Sequence, residues 1–348
     1  MDKLNQRQIK ILEQLGIKEL SISELQNYFP EFTKITLNRD LKKLIDLNLI
    51  ESIGKARATR YSINQSSRFL AQINPNEYFK QDIDDRNILK NFNMEIFETL
   101  KSVKTFFSES EKDFLLKLNE EFQVNYKKAS KVIREKELER FVIELSWKSS
   151  KIEGNTYNLL DTETLIKSQK RAKGKSEQEA LMILNHKKAF DFIYQDPKYF
   201  KTWTKNKLTE LHFLLLEGLE VSSKPRENKV KITGSNFEPL DDQWQIEEAL
   251  TKFMDLINTS SKSTLDKALL CLAILSYIQI FEDGNKRTSR LAANASLLAN
   301  GYCPLSFRSI DEDEYKKAVL LFYEQNNLNY LKKLFIEQFE YACENYLA

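Results

Sequence analysis

Glycine and proline are scarce, with 8 and 6 residues in a chain of 348. So few turn formers argue against the many tight reversals of an all-β fold and favour a mainly helical one. Three cysteines occur, Cys271, Cys303 and Cys343, far apart and without metal-ligand or disulfide spacing. They read as small apolar residues in a reducing compartment. Histidine is rarer still: His186 and His212 are the whole complement, and both read as packed or capping residues of helices. No apolar run reaches transmembrane length and MDKLNQRQIK carries no apolar leader, so the expectation is a cytoplasmic protein without a membrane partner. Neither sign of charge dominates, with 53 basic against 51 acidic side chains, so any footprint for a polyanion must be local.

What is present is a soluble, globular composition, 41% hydrophobic and 30% charged, long enough for two or three folding units. Residues 1–65 read as a winged helix-turn-helix. Ile11, Leu12 and Leu15 mark one amphipathic helix, and Ser21 with Glu24 makes a capping-box start for a second. A third carries Leu37, Leu41 and Leu44 on one face and Asn38, Arg39, Lys42 and Lys43 on the other. Two short β-type runs around Gly54 follow, with Lys55 and Arg57 at their tip. Those six polar side chains are the candidates for DNA contact, because they gather on the elements that face DNA in this architecture. A winged helix used for protein contacts is the alternative. Residues 66–135 read as a helical connector, and helical periodicity dominates from 136 to 348. One interruption, KVKITGSNFEPL at 229–240, alternates Val230 and Ile232 with polar residues before Gly234 and reads as a short β-hairpin.

The chemistry is concentrated in LDKALLCLAILSYIQIFEDGNKRTSRLAANASLLAN, 265–300. An almost wholly apolar helix is broken by FEDGN, and a second helix starts near Lys286. Lys286, Arg287 and Arg290 then occupy its first turns, where the helix dipole disfavours cations unless an anion sits there. Open N–H groups at a helix start, with Gly284 allowing close approach, form a phosphate cradle. Asp283 beside it is the kind of carboxylate that holds Mg²⁺ bridging phosphates. A surface helix start with packed arginine stems is the competing reading. Far upstream, ELERFVIELSWKSSKIEG ends at Gly154 and puts Glu153 at a helix C-terminus, the unfavourable end for an anion.

IQIFEDGNKRTSR resembles the Fic/DOC signature H-x-F-x-D/E-G-N-x-R-x-x-R, with Phe281, Asp283, Gly284, Asn285, Arg287 and Arg290 in register. SSKIEGN resembles the inhibitory motif S/T-x-x-x-E-G/N of that family, through Ser149, Glu153 and Gly154. The resemblance implies an all-helical Fic fold over 136–348, with 229–240 as the flap that docks a target protein by strand addition. It implies ATP with Mg²⁺ on Asp283. Asn285, Arg287 and Arg290, with the Gly284–Lys286 backbone, would hold the phosphates, and AMP would pass to a protein hydroxyl. It also implies that Glu153 blocks the site by pairing with Arg290. The chain departs from the pattern at Gln279, which stands where the signature has its catalytic histidine; a neutral amide cannot take a proton. Ile280 stands where proline is common and Lys286 where glycine is common. The expectation is a nucleotidyltransferase impaired or altered in catalysis. The alternative is an inactive, nucleotide-responsive DNA-binding regulator, or a regulator whose Fic domain serves homodimer formation.

Overall fold

The computed structural model describes residues 4–47, 49–54 and 58–346. Lys55 and Arg57 lie outside the described residues. The chain divides into two compact units: residues 1–103 with 232–238 and 320–330 form one, and 104–231, 239–319 and 331–348 form the other.

The first unit begins with α1 (Gln6–Ile17), β1 (Leu20–Ser21), α2 (Ile22–Tyr28) and α3 (Lys34–Asp46), followed by β2 (Ile50–Ile53) and β3 (Arg60–Ile63). Asn5 and Ser21 close capping boxes on α1 and α2, and Thr33 caps α3, so each helix start has a side-chain acceptor for its exposed N–H groups. The antiparallel sheet runs β1-β3-β2, with Leu20 opposite Tyr61 and Ile50 opposite Ile63. Ile11, Leu15, Leu25, Leu37, Leu41, Leu44 and Ile50 make its core. Burying one face of α3 turns Lys34, Asn38, Arg39 and Lys42 to solvent, with Lys43 half-buried. Short helices α4 (Gln65–Arg68), α5 (Pro75–Tyr78) and α6 (Ile96–Ser102) follow. Farther along, the carboxylate of Glu324, fully buried, lies 3.3 Å from the Arg86 guanidinium and accepts the Tyr78 hydroxyl at 2.7 Å.

The expected hairpin at 229–240 forms its turn but not its ladder. Ser235 N–H bonds the Ile232 carbonyl at 3.3 Å, and Gly234 takes a φ of +83°. No strand pair is found there among the described residues. The reason is competition for its backbone: the Gly234 carbonyl accepts from Arg86 at 2.7 Å and Glu238 N–H donates to the Lys90 carbonyl at 2.7 Å, with a single parallel bridge from Asn91 to Glu238.

The second unit is helical. Its elements are α7 (Glu109–Lys128), α8 (Lys131–Ile152), α9 (Leu159–Ser168), α10 (Glu177–Gln195), a 3₁₀ turn at Pro197–Lys201, α11 (Lys205–Leu216), α12 (Gln243–Thr259), α13 (Thr264–Ile278) and α14 (Asn285–Ala299). Helix α15 (Glu312–Gln325) and α16 (Asn329–Asn345) complete the chain. Helix α13 is apolar all round and buried from Leu265 to Ile278 apart from Lys267, as a central helix must be. It lies against α14, which buries Leu291, Ala292, Ala295 and Leu297. The small residues of α14 let the two backbones approach closely.

Candidate functional site

The site is built on the link between α13 and α14. Helix α13 ends at Gln279, whose backbone is left-handed at φ +52°. Arg226, almost fully buried, anchors the link: its Nε donates to the Gln279 carbonyl at 2.6 Å and its N–H to the Ile280 carbonyl at 2.9 Å. Asn285 laces the link from the other end. Its Oδ1 accepts from Phe281 N–H at 2.9 Å, and its Nδ2 donates to the Phe281 carbonyl at 2.7 Å and to Gln279 Oε1 at 3.2 Å. Gln279 Nε2 in turn donates to the Ser276 carbonyl at 2.6 Å. The side-chain amide is therefore engaged at both ends.

Helix α14 starts at Gly284, which has a φ of +78° and offers no side-chain cap. The N–H groups of the first turn are thus left without the local acceptor that caps most other helices of the chain, the condition for anion binding. The cations sit on that turn. Arg287 is 1% exposed; its Nη2 donates to Asp283 Oδ2 at 2.9 Å, while Nε and Nη1 are buried and have no hydrogen-bond partner among the described residues. Arg290 is fully buried, donating from Nε to Ser149 Oγ and from Nη2 to the Ser149 carbonyl, both at 2.9 Å, with Tyr315 5.3 Å away under the guanidinium.

Glu153 meets these cations from α8. The helix ends in a Schellman turn: Gly154 N–H bonds the Lys151 carbonyl, Asn155 N–H bonds the Ser150 carbonyl, and Gly154 takes a φ of +95°. That reversal leaves Glu153 at the helix end, where Oε1 accepts from Arg290 Nη2 at 2.8 Å and Oε2 lies 3.5 Å from Lys286 Nζ. Burial pushes the Glu153 carboxyl up, but Arg290 and then Lys286 outweigh it and hold the group below the usual carboxylate range. Burial likewise works against the Arg290 charge, and Glu153 more than restores it. Each partner keeps the other charged in a place where neither would be stable alone.

The sequence gives no signal for two further neighbours. His212, on α11, stacks flat on Phe281, with ring centres 3.5 Å apart, and its Nδ1 lies 2.9 Å from Thr288 Oγ1. A Cβ at Gly284 would come within 3.0 Å of the His212 Cε1, so the glycine is required by contact as well as by φ. Burial, with Arg287 close by, pushes the His212 imidazole down to about 3. His186 on α10 is also fully buried, and burial followed by Arg290 and Arg287 drives its titration well below the ordinary range. Both histidines are packed residues, and the charge of the α14 arginines reaches both. Among the described residues no group of three or more His, Cys, Asp or Glu side chains could hold a metal; Asp283, at the turn before α14, is exposed and paired with Arg287. Asn38, Arg39, Lys42 and Lys43 are on α3, in the other unit.

The helical unit thus presents an uncapped, arginine-bearing helix start facing a glutamate from another helix. Residues 202–297, which contain the link and α14, match the family model described as the Fic/DOC family. The chain is 28% identical over 166 residues to "Protein adenylyltransferase Fic" of Drosophila ananassae, which covers 47% of this chain and 33% of that protein. It is 27% identical over 171 residues to the protein of the same name from Nematostella vectensis, covering 48% and 40%. The chain thus spans a third to two fifths of the length of these relatives. Among solved structures, "Fic-1 (aa134 - 508) from C. elegans" superposes with a TM-score of 0.57 at 20% identity, covering 68% of this chain and 70% of that one. A Fic-domain-containing signaling protein from Bacteroides thetaiotaomicron gives a TM-score of 0.54 at 19% identity, covering 66% and 95%. At those identities the structures speak to the fold. Among the described residues no helix is long and apolar enough to cross a membrane.

Proposed function

We propose that the second unit binds ATP with Mg²⁺ at the start of α14, and that the chain is a relative of protein adenylyltransferases with impaired AMP transfer, held shut by Glu153. The observation that carries this reading is Arg287: a buried guanidinium with two nitrogens, Nε and Nη1, unpartnered among the described residues, beside an uncapped helix start. Burying such donors without acceptors costs about 1–3 kcal/mol each, and a phosphate supplies the acceptors. Asp283 suits Mg²⁺, which binds through one or two carboxylates plus phosphate oxygens and neutralises phosphate charge when present. Asn285 and the Gly284–Lys286 backbone would orient the α- and β-phosphates; Arg290 would take the γ-phosphate once Glu153 leaves it.

Gln279 occupies the position of the base. Its Oε1 already accepts from Asn285 and its Nε2 already donates to Ser276, so the amide braces the link instead of activating a hydroxyl. Loss of a general base costs roughly 10²–10⁴ in rate. Transfer of this type relies mostly on positioning and charge, so a slow residual reaction is compatible with the site. A target protein would dock along 229–240, where Val230 and Ile232 alternate with polar residues.

Titration calorimetry with MgATP tests the reading. Glu153→Gly is expected to tighten binding and Arg290→Ala to weaken it severalfold; no heat with either the parent or Glu153→Gly sinks it. Incubation with labelled ATP then reports whether any AMP reaches protein. A second reading, a nucleotide-responsive DNA-binding regulator, is favoured by one feature of the first unit. Three helices and a β2–β3 hairpin follow the order of a winged helix, and α3 exposes Asn38, Arg39 and Lys42.

A further inference from the structure

Lys286 stands out in the cradle because it is the most exposed of its three cations and is paired with Glu153. It is the second residue of α14, the turn where a positive charge is least welcome to the helix dipole. Its Nζ lies 3.5 Å from Glu153 Oε2, while the other oxygen of the same carboxylate accepts from Arg290 at 2.8 Å. Lys286 and Arg290 are one helical turn apart, so the carboxylate spans a clamp built on a single face of α14. The two arms differ. Arg290 is fully buried and tied to Ser149, whereas Lys286 is 32% exposed and ends a flexible four-carbon stem.

We infer that Lys286 is an exchangeable arm of this site: it holds Glu153 closed in the absence of nucleotide and turns to the triphosphate when Glu153 withdraws. This rests on the nucleotide reading above. Glu153 and a phosphate oxygen are alternative anions for the same two cations, and both cannot be served at once. Removing the lysine therefore has two opposed consequences. It loosens the plug, which favours nucleotide, and it removes a phosphate contact, which disfavours it. With Glu153 present the two offset; without Glu153 only the second remains.

The test is a double-mutant cycle on the full chain, with MgATP affinity measured by calorimetry for the parent, Lys286→Gln, Glu153→Gly and the double variant. Lys286→Gln is expected to change the parent's Kd by no more than about twofold, and to weaken that of Glu153→Gly by about tenfold, a coupling of about 1.4 kcal/mol. Lys286→Arg should restore the parent values. Equal effects of Lys286→Gln in the two backgrounds overturn the inference while leaving the nucleotide reading intact. Absence of binding to Glu153→Gly removes the nucleotide reading itself. A measurement free of nucleotide stands beside these: the Glu153 carboxyl, followed by ¹³C NMR, should titrate higher in Lys286→Gln than in the parent. An unchanged titration means that the lysine does not hold Glu153, and the inference fails.

Discussion

Asn285 Nδ2 donates to Gln279 Oε1 at 3.2 Å across the turn that joins α13 to α14. The bond ties the residue that ends α13 to the first residue of α14. A histidine there would have a ring nitrogen available for a proton; the glutamine has an amide already used for bracing.

Replacing Gln279 by histidine is therefore the most direct gain-of-function experiment. In the Glu153→Gly background, Gln279→His should raise incorporation of labelled AMP into protein by roughly 10²–10⁴. Equal incorporation with glutamine and histidine would show that the base position does not limit the reaction. Affinity for MgATP should change little, since the amide faces the link rather than the arginines.

Glu153→Gln should cost stability without nucleotide. Breaking a buried ion pair from one side costs about 3–5 kcal/mol, and the lower end applies because Ser149 still accepts two bonds from Arg290. Urea unfolding measures the loss, and saturating MgATP should recover much of it. A variant as stable as the parent would mean that the pair is held by other contacts.

Gly284→Ala combines a left-handed backbone with a Cβ 3.0 Å from the His212 ring. Conformation alone predicts about 1–2 kcal/mol of destabilisation. The displaced first turn should also weaken nucleotide binding. Unchanged denaturation midpoint and affinity would contradict the close approach.

Acidification gives a prediction with a defined sign. His212 titrates near 3 in the folded chain and His186 well below its ordinary value of 6.5, so the unfolded chain binds more protons as pH falls from about 6.5. Stability contributed by the neutral rings is complete above that point and is lost on the way down, at no more than about 1.4 kcal/mol per pH unit per histidine. Glu153, also held low, adds a loss of the same direction, but only below the ordinary carboxylate value of 4.5. Between pH 6.5 and 5 the histidines contribute a slope of this sign, and His212→Phe, which keeps the stack on Phe281, should reduce it. An undiminished slope would assign the effect elsewhere.

For the first unit, electrophoretic shifts at two salt concentrations test DNA binding. If α3 tracks phosphates, Arg39→Ala and Lys42→Ala should each reduce the salt dependence by about one unit. No shift with any duplex would leave the fold of this unit as a protein-contact module.

Much of the architecture was readable before any coordinates. Ser21 with Glu24 announces a helix start, the unbroken apolar run of α13 announces a central helix, and Arg287 and Arg290 share a face by spacing alone. That 229–240 forms no ladder was not readable, because alternation of Val230 and Ile232 specifies a strand only when a partner edge is available. There the backbone at Gly234 and Glu238 is taken by Arg86 and Lys90 instead.

Caps, periodicity and turn residues act over a few positions, so the sequence by itself determined where the helices begin, which faces are apolar and that cations crowd the start of α14. Only the tertiary structure decided which partners those cations meet. Arg290 finds Glu153 across 137 residues, and Thr288 finds His212 across 76, because α8 and α11 pack against α14. Buried charges and ring nitrogens take their protonation from such packed neighbours, and no local pattern encodes that distance.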